Sequence, residues 1–166
     1  MITIDELENQ FKAGTVEKIP EGFLRGELVM LLPVYTVEKI GDFVSKFWLP
    51  WRGKYFVREE SRGDNILAHS AKLILSLRQS GYLVGNTEFG GFHAFPFTFS
   101  ITKALQSENK VIQLSYDLKE NPASVQKVVD EIVLVDENTY RGKAFIIEDA
   151  SPRLVGYFKL FSTNNF

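Results

Sequence analysis

The second half of the chain alternates apolar with polar residues at a period of two, and this pattern constrains the fold more than any other feature. The alternation is clearest in the stripe of Phe95, Phe97 and Phe99. A period of two places alternate side chains on opposite faces of a β-strand. The same pattern recurs, between short polar turns, over residues 112–118, 125–135, 140–147 and 154–161. Successive strands with brief connections predict an antiparallel meander.

A six-residue phrase also occurs twice, at 51–56 and at 140–145. Each copy has an aromatic residue, then Arg-Gly-Lys, then one further residue, then Phe. Aromatic residues suit a pleated surface, and a strand glycine lets a ring or a second backbone approach closely. We therefore predict that Gly53 and Gly142 lie in strands packed against a ring or a close backbone. Similar strands at separate places favour a closed β-architecture.

The first half mixes helix and strand signals. Residues 3–6 fit a capping box, and Gly14 ends the apolar face that follows, so a short helix is predicted there. A second short helix is predicted between Thr36 and Pro50, with strands over 23–32 and 51–58 and a polar turn over 59–65. Residues 66–78 fit either a helix or a strand, and the β-rich surroundings favour a strand from Lys72. The glycine-rich segment 81–91 predicts a long loop or a loose hairpin.

Composition limits the class of protein. The 166 residues fit one domain spanning 1–166, and 14 phenylalanines predict an aromatic core or an apolar cavity lining. A net charge of −2 gives no basic surface for nucleic acid, and the lack of Cys excludes disulfides and thiolate sites. We expect no membrane span, no secretory signal and hence a cytoplasmic location. The sequence lacks phosphate-binding and dinucleotide motifs, so no cofactor is predicted, and a homo-oligomer is left open.

Several of these segments resemble a bacterial family of unknown function that is named for a Gly-x-Trp-x-Gly motif and built on a lipocalin-like barrel. Residues 22–26 stand where that motif would be, with Leu24 in place of its Trp, and residues 51–56 match the Trp-x-Gly-Lys-x-Phe phrase that follows. Looser matches are Tyr116-Asp117, Asp130-Glu131 and residues 156–158. The resemblance implies a calycin-like barrel and, by analogy, an apolar ligand.

The candidate site follows from the predicted barrel interior. An eight-stranded barrel is either filled by side chains or holds one small ligand, so the phenylalanine stripe has two interpretations, ordinary core or cavity lining. His93 shares the parity of the stripe, as either a hydrogen-bonded strand residue or a polar anchor at the mouth of a pocket. The predicted ligand-binding residues are Trp51, Phe56, His93, Phe95, Phe97, Phe99, Tyr116 and Arg141.

Charged residues within the strands leave alternatives open. Arg141 and Lys143 share one face, as do Arg52 and Lys54, and each pair points either outward as solvated charge or inward. An inward Arg141 would receive a carboxylate with two hydrogen bonds. Glu131, if buried, needs a partner such as Arg141, or forms an acid/base pair with His93 in an enzyme. The spacing of the two histidines gives no metal site, and no catalytic residue is assigned.

The sequence therefore predicts an all-β protein, an antiparallel calycin- or lipocalin-like barrel with one or two short N-terminal helices. The predicted function is non-covalent binding of a small hydrophobic ligand, with or without a carboxylate. Two alternatives remain at this point. One is an enzyme that uses His93 and Glu131 in the same pocket, and the other is a solidly packed structural or interaction domain.

Overall fold

The structure, a computed structural model, describes residues 2–33, 51–70, 84–87 and 90–162, in which strands predominate. Helix α1 is Ile4–Ala13 and helix α2 is Ala123–Gln126, and a short 3₁₀ turn covers Arg58–Glu60. The strands are β1 Gly22–Leu31, β2 Trp51–Val57, β3 Arg62–Ala68, β4 Val84–Thr87, β5 Gly91–Lys103, β6 Lys110–Ser115, β7 Val128–Asp136, β8 Thr139–Glu148 and β9 Ser151–Phe161.

The strands close into an antiparallel barrel. Strands β5 to β9 pair in chain order, which confirms the predicted meander. Strand β9 then pairs with β1, β1 with β2, β2 with β3, and β3 with β5. This last pairing closes a ring of eight strands. Strand β4 is not part of the ring and pairs antiparallel with the first residues of β5. The prediction of an all-β antiparallel barrel is confirmed, and closure pairs the backbone groups that an open sheet would leave at its edges.

Helix α1 covers the outside of the barrel wall. It begins as predicted with a capping box, in which the Thr3 side chain accepts from the Glu6 backbone N–H and the Glu6 carboxylate accepts from the Thr3 N–H. Its buried residues are Leu7 and Phe11, and Phe11 packs in a small apolar cluster with Val133 of β7. The helix therefore buries the outer face of β7 and β8 and forms a second layer outside the barrel.

The segment that follows α1 covers one end of the barrel. Thr15 and Leu134 exchange backbone hydrogen bonds of 2.8 and 2.9 Å, and the Tyr140 hydroxyl donates to the Lys18 carbonyl at 3.0 Å. Val16 and Ile19 pack against the apolar interior. The side chains of this segment thus help to keep water from the interior where β7 ends and β8 begins.

Two local predictions were wrong. Residues 59–65 are not one polar turn, because β3 starts at Arg62 and pairs with both β2 and β5. Strand β7 starts at Val128 rather than at Val125, since Pro122 is followed by the helical turn α2. In both places tertiary pairing or a proline-initiated turn overrides a weak local pattern. The helix predicted over 36–50 and the strand predicted from Lys72 lie outside the described residues, as does part of 81–91.

The two glycines of the repeated phrase lie in strands and are tightly packed, as predicted. A side chain at Gly142 of β8 would overlap the ring of Phe158 on the neighbouring β9. Gly53 of β2 has a φ of +149° and would bring a side chain onto the Leu24 carbonyl of β1. Only a residue without Cβ fits such approaches at no steric cost.

Candidate functional site

A charged lysine side chain lies in the middle of the barrel interior. Lys54 of β2 is 1% exposed and points to the same side as Phe56. A β-bulge in β2 between Trp51 and Gly53 brings the Trp51 ring to this side as well, because the extra residue shifts the alternation by one. Arg52, the residue at the bulge, is exposed. The predicted common face of Arg52 and Lys54 is therefore wrong.

The Lys54 ammonium has three hydrogen-bond partners, which lie on β3, on β7 and just after the end of β6. Its Nζ is 2.8 Å from the Asp130 carboxylate on β7 and 2.8 Å from the Asn65 Oδ1 on β3, and it also donates to the Tyr116 hydroxyl beyond the end of β6. An ammonium has three N–H donors, so all of them are used. We call Lys54, Asn65, Tyr116 and Asp130 the interior polar cluster.

The other members of the cluster bind one another. The Tyr116 hydroxyl donates to Asp130 Oδ2 at 2.9 Å. Asn65 donates through Nδ2 to this hydroxyl at 3.1 Å and to the Phe95 carbonyl at 3.0 Å, and its Oδ1 accepts from Trp51 Nε1 at 3.1 Å. Buried polar groups must be paired because an unpaired one loses its hydration without compensation. The cluster meets that requirement with its own side chains, the Trp51 indole and the Phe95 carbonyl.

Aromatic rings surround the ammonium. Lys54 Nζ lies 5.2–5.5 Å from the ring centres of Tyr116, Phe97, Trp51 and Phe158. Cations within about 6 Å of a ring face are attracted by its quadrupole. Burial lowers the pKa of Lys54, although the neighbouring Asp130 acts in the opposite direction. Burial, followed by the Asp130 charge, raises the pKa of Tyr116 well above its usual value of 10.

The predicted aromatic residues do meet in the interior. Phe56 contacts Phe97 and Phe99 edge-on at centroid distances of 5.3 and 5.6 Å, and Phe97 lies 5.6 Å from Tyr116. Phe56, Phe97 and Tyr116 are 0% exposed, and Phe95 and Phe99 are 4% and 7% exposed. The first three rings therefore pack on side chains and leave no water-sized space against them. Trp51 is partly buried and packs edge-on against Phe158 at 5.6 Å.

His93 does not share the interior with the phenylalanine stripe. A bulge in β5 near Phe95, which has a φ of +51°, shifts the alternation, so that Phe92 and Ala94 face inward before it and Phe97 after it. His93 instead lies 3.1 Å from the Asp64 carboxylate and edge-on to Tyr55 at 5.5 Å. The predicted inward orientation of His93 is wrong because parity fixes the face of a residue only in an uninterrupted strand.

Arg141 points away from the barrel interior, which is the outward of the two orientations left open by the sequence. On β8, Tyr140 and Ala144 face the interior, whereas Arg141 Nη2 donates to the Gln10 side chain of α1 at 2.7 Å. Lys143 on the same face binds Glu8 of α1 at 2.8–2.9 Å, and Tyr157 donates to the same carboxylate. Both cations are buried by the helix rather than by the barrel, at 8% and 6% exposure.

Glu131 also faces this outer layer. Its Oε1 accepts from the Leu105 N–H at 2.6 Å and from the Gln113 side chain at 3.5 Å. Burial raises the pKa of Glu131, while the Leu105 hydrogen bond opposes the shift. Its partners differ from those of His93, so the structure does not bring the proposed acid/base pair together.

The sequence analysis missed the members of the interior cluster other than Tyr116. Local sequence favours Glu131 over its neighbour Asp130, predicts a turn around Asn65, and pairs Lys54 with Arg52. The available signal was the shared parity of Lys54 and Phe56 in one short strand. In the described residues no three His, Asp or Glu side chains are grouped so as to hold a metal ion. Within the same residues no helix is long and apolar enough to cross a membrane.

The fold and the interior cluster define a closed antiparallel β-barrel with a charged, aromatic-lined centre. In fold the chain is similar to a protein from Thermomonospora curvata whose crystal structure is known, with a TM-score of 0.54 over 98% of this chain and 89% of that one, at 10% sequence identity. At this identity the likeness concerns the barrel alone. No protein-family model matches the sequence, and no curated protein matches it. The resemblance to the Gly-x-Trp-x-Gly family thus stays a prediction.

Proposed function

We propose that the barrel binds a small, largely apolar molecule without a covalent bond, with its polar end at the interior polar cluster. The observation that carries the proposal is the ion pair of Lys54 and Asp130 held among four aromatic rings in an otherwise apolar interior. Convergent polar groups with shifted pKa values in apolar surroundings are typical of ligand sites. The rings of Trp51, Phe56, Phe95, Phe97, Phe99 and Tyr116 would move apart to contact the apolar part, because Phe56, Phe97 and Tyr116 are fully buried in this structure.

Energetics favour a role for this ion pair beyond stability. Removing two charges from water costs several kcal/mol for each ion, and apolar residues of similar volume are often as stabilising as the pair. A barrel that only needed a core would fill this space with apolar side chains. Polar groups that fix the orientation of a ligand explain the retained charges better.

The polar end of the ligand is a neutral hydrogen-bonding group in this proposal. A carboxylate on the ligand depended on an inward Arg141, but its guanidinium lies under α1. Inside the barrel the Lys54 charge is already matched by Asp130 at 2.8 Å. A second carboxylate beside Asp130 would be repelled at a site where charges are poorly screened.

A solidly packed structural domain is the second candidate, and one observation favours it. The three donors of Lys54 are all used within the cluster, and Phe56, Phe97 and Tyr116 are fully buried. In this case the cluster would only fix the register of the strands that meet at it. The two candidates differ in whether any ligand reaches the interior.

Binding is tested on the folded, full-length protein. Native mass spectrometry detects a co-purified molecule, and titration with a polarity-sensitive fluorescent probe and with straight-chain alcohols of several lengths measures affinity. We expect saturable binding with a preference for one chain length. The structural candidate is supported instead if no chain length binds and no molecule co-purifies.

A matched pair of variants locates the bound probe. Ala94→Leu adds bulk inside the barrel, because Ala94 belongs to the apolar core and is 1% exposed. Ala104→Leu makes the same change at a residue that is 6% exposed in the outer layer beside Phe11. A leucine side chain at position 94 would compete with the probe for interior space, so Ala94→Leu should weaken binding by about tenfold or more. Equal affinities in the two variants would place the probe outside the barrel.

A further inference from the structure

We infer, resting on the proposed ligand binding, that the ligands include aldehydes or ketones and that Lys54 Nζ binds their carbonyl carbon as an imine. A primary amine forms such a bond with a carbonyl group when it is unprotonated and held away from bulk water. The Lys54 side chain is 2% exposed, and its Nζ lies among four rings. Lys143 is also buried, but outside the barrel wall, so it is the matched control for labelling at Lys54.

The cluster supplies a route for the proton that must leave the ammonium. Asp130 Oδ2, 2.8 Å from Nζ, can accept it and leave a neutral amine beside a neutral carboxyl group. Burial lowers the pKa of Lys54, which favours the loss of this proton. The Tyr116 hydroxyl touches both Nζ and the Asp130 carboxylate, so it is placed to pass a proton between them.

The reaction is a condensation that needs no oxidant or reductant. The nitrogen lone pair attacks the carbonyl carbon, a C–N bond forms, the C=O π pair moves to the oxygen, and a proton passes from the nitrogen to this oxygen to give a neutral carbinolamine. The proton held by Asp130 then passes to the hydroxyl group, which leaves as water while the nitrogen lone pair forms the C=N bond. The nitrogen keeps its remaining proton, so the product is an iminium cation beside the restored Asp130 carboxylate. The product therefore keeps the charge balance with Asp130, since an ammonium has been replaced by an iminium group.

Hydrogen bonding in the cluster tolerates this change. An iminium nitrogen has one N–H donor, so two of the three acceptors of the ammonium are released. With that N–H kept on Asp130, Asn65 Oδ1 still accepts from Trp51 Nε1 at 3.1 Å, and the Tyr116 oxygen still accepts from Asn65 Nδ2 at 3.1 Å. Each released acceptor thus has a second donor already in place, and imine formation leaves neither of them unpaired.

Reductive trapping tests the inference. Folded protein is incubated with straight-chain aldehydes of several lengths, treated with cyanoborohydride, and analysed by intact mass and peptide mapping. We expect a single adduct at Lys54 that forms faster as the pH rises. The adduct should be lost in Lys54→Arg and Lys54→Met and retained in Lys143→Arg. Mapping the wild-type adduct answers the question even if a Lys54 variant fails to fold.

The corresponding alcohols separate this inference from the proposed function, because they have the same chain lengths and cannot form an imine. Alcohol binding together with a Lys54 adduct supports both. Alcohol binding with no adduct, or with adducts only on exposed lysines, overturns the imine and leaves the binding function in place. If the alcohols do not bind and Lys54 is not labelled, the proposed function and the inference both fall.

Discussion

Replacement of Lys54 by Met is the sharpest test of the interior polar cluster. The change keeps the length of an unbranched side chain among the four rings but removes the cation. It leaves the Asp130 side chain, which is 5% exposed, with the Tyr116 hydroxyl at 2.9 Å and no cation. An unpaired buried carboxylate must either stay desolvated or take up a proton.

The expected loss follows from the burial of this pair. Removing one partner of a buried ion pair costs about 3–5 kcal/mol. For a chain of this size each kcal/mol lowers the melting temperature by about 2–4 °C, so Tm should fall by about 6–20 °C. Asp130→Leu should cost a similar amount because it leaves the Lys54 ammonium buried without a counter-charge. The double variant should cost far less than the sum, because two apolar side chains then replace both charges.

Urea denaturation of the wild type, both single variants and the double variant at neutral pH gives the coupling free energy. We expect this coupling free energy to be at least about 2–3 kcal/mol. Lys159 and Glu27 form the control pair, at 2.9 Å but with side chains 33% and 47% exposed. Exposed pairs contribute about 0–1 kcal/mol, so this cycle should be nearly additive. Additive free energies in the Lys54–Asp130 cycle would show that the two charges do not interact as described.

Three further predictions concern packing, ionisation and the barrel end. Gly142→Val and Gly53→Val should each lower the free energy of unfolding by about 1–3 kcal/mol, and unchanged melting in both would contradict the close packing. Glu131→Gln should remove a pH dependence: the pKa of Glu131 is raised above 4.5, so the wild type, relative to the variant, loses stability as the pH rises from 4.5 through the folded-state pKa. Parallel stability-versus-pH curves would refute this. Tyr140→Phe should cost about 1 kcal/mol in urea denaturation, because the hydroxyl donates at 3.0 Å to a backbone carbonyl of the segment after α1; equal midpoints would show that this hydrogen bond contributes little.

Local sequence determined most of the strands and the first helix. The period of two over the meander fixes which segments are extended, because only a strand places alternate residues on opposite faces. The capping box of residues 3–6 fixes where α1 begins, since both hydrogen bonds lie within one turn. Close packing at Gly53 and Gly142 was also predictable from the repeated phrase, but the groups that approach them, the Leu24 carbonyl and the Phe158 ring, lie on neighbouring strands outside the phrase.

Only the tertiary structure decided which charged residues face the interior. The bulges near Trp51 and Phe95 each add one residue to one strand of a pair, and such an extra residue exchanges the inner and outer faces. Its position depends on the neighbouring strand, which local sequence does not specify. For the same reason His93 faces outward. Arg141 is buried on the outer wall because helix α1 packs over it. The surroundings of Lys54 come from strands far apart in the chain, so its desolvation and its pairing with Asp130 exist only once the barrel has closed.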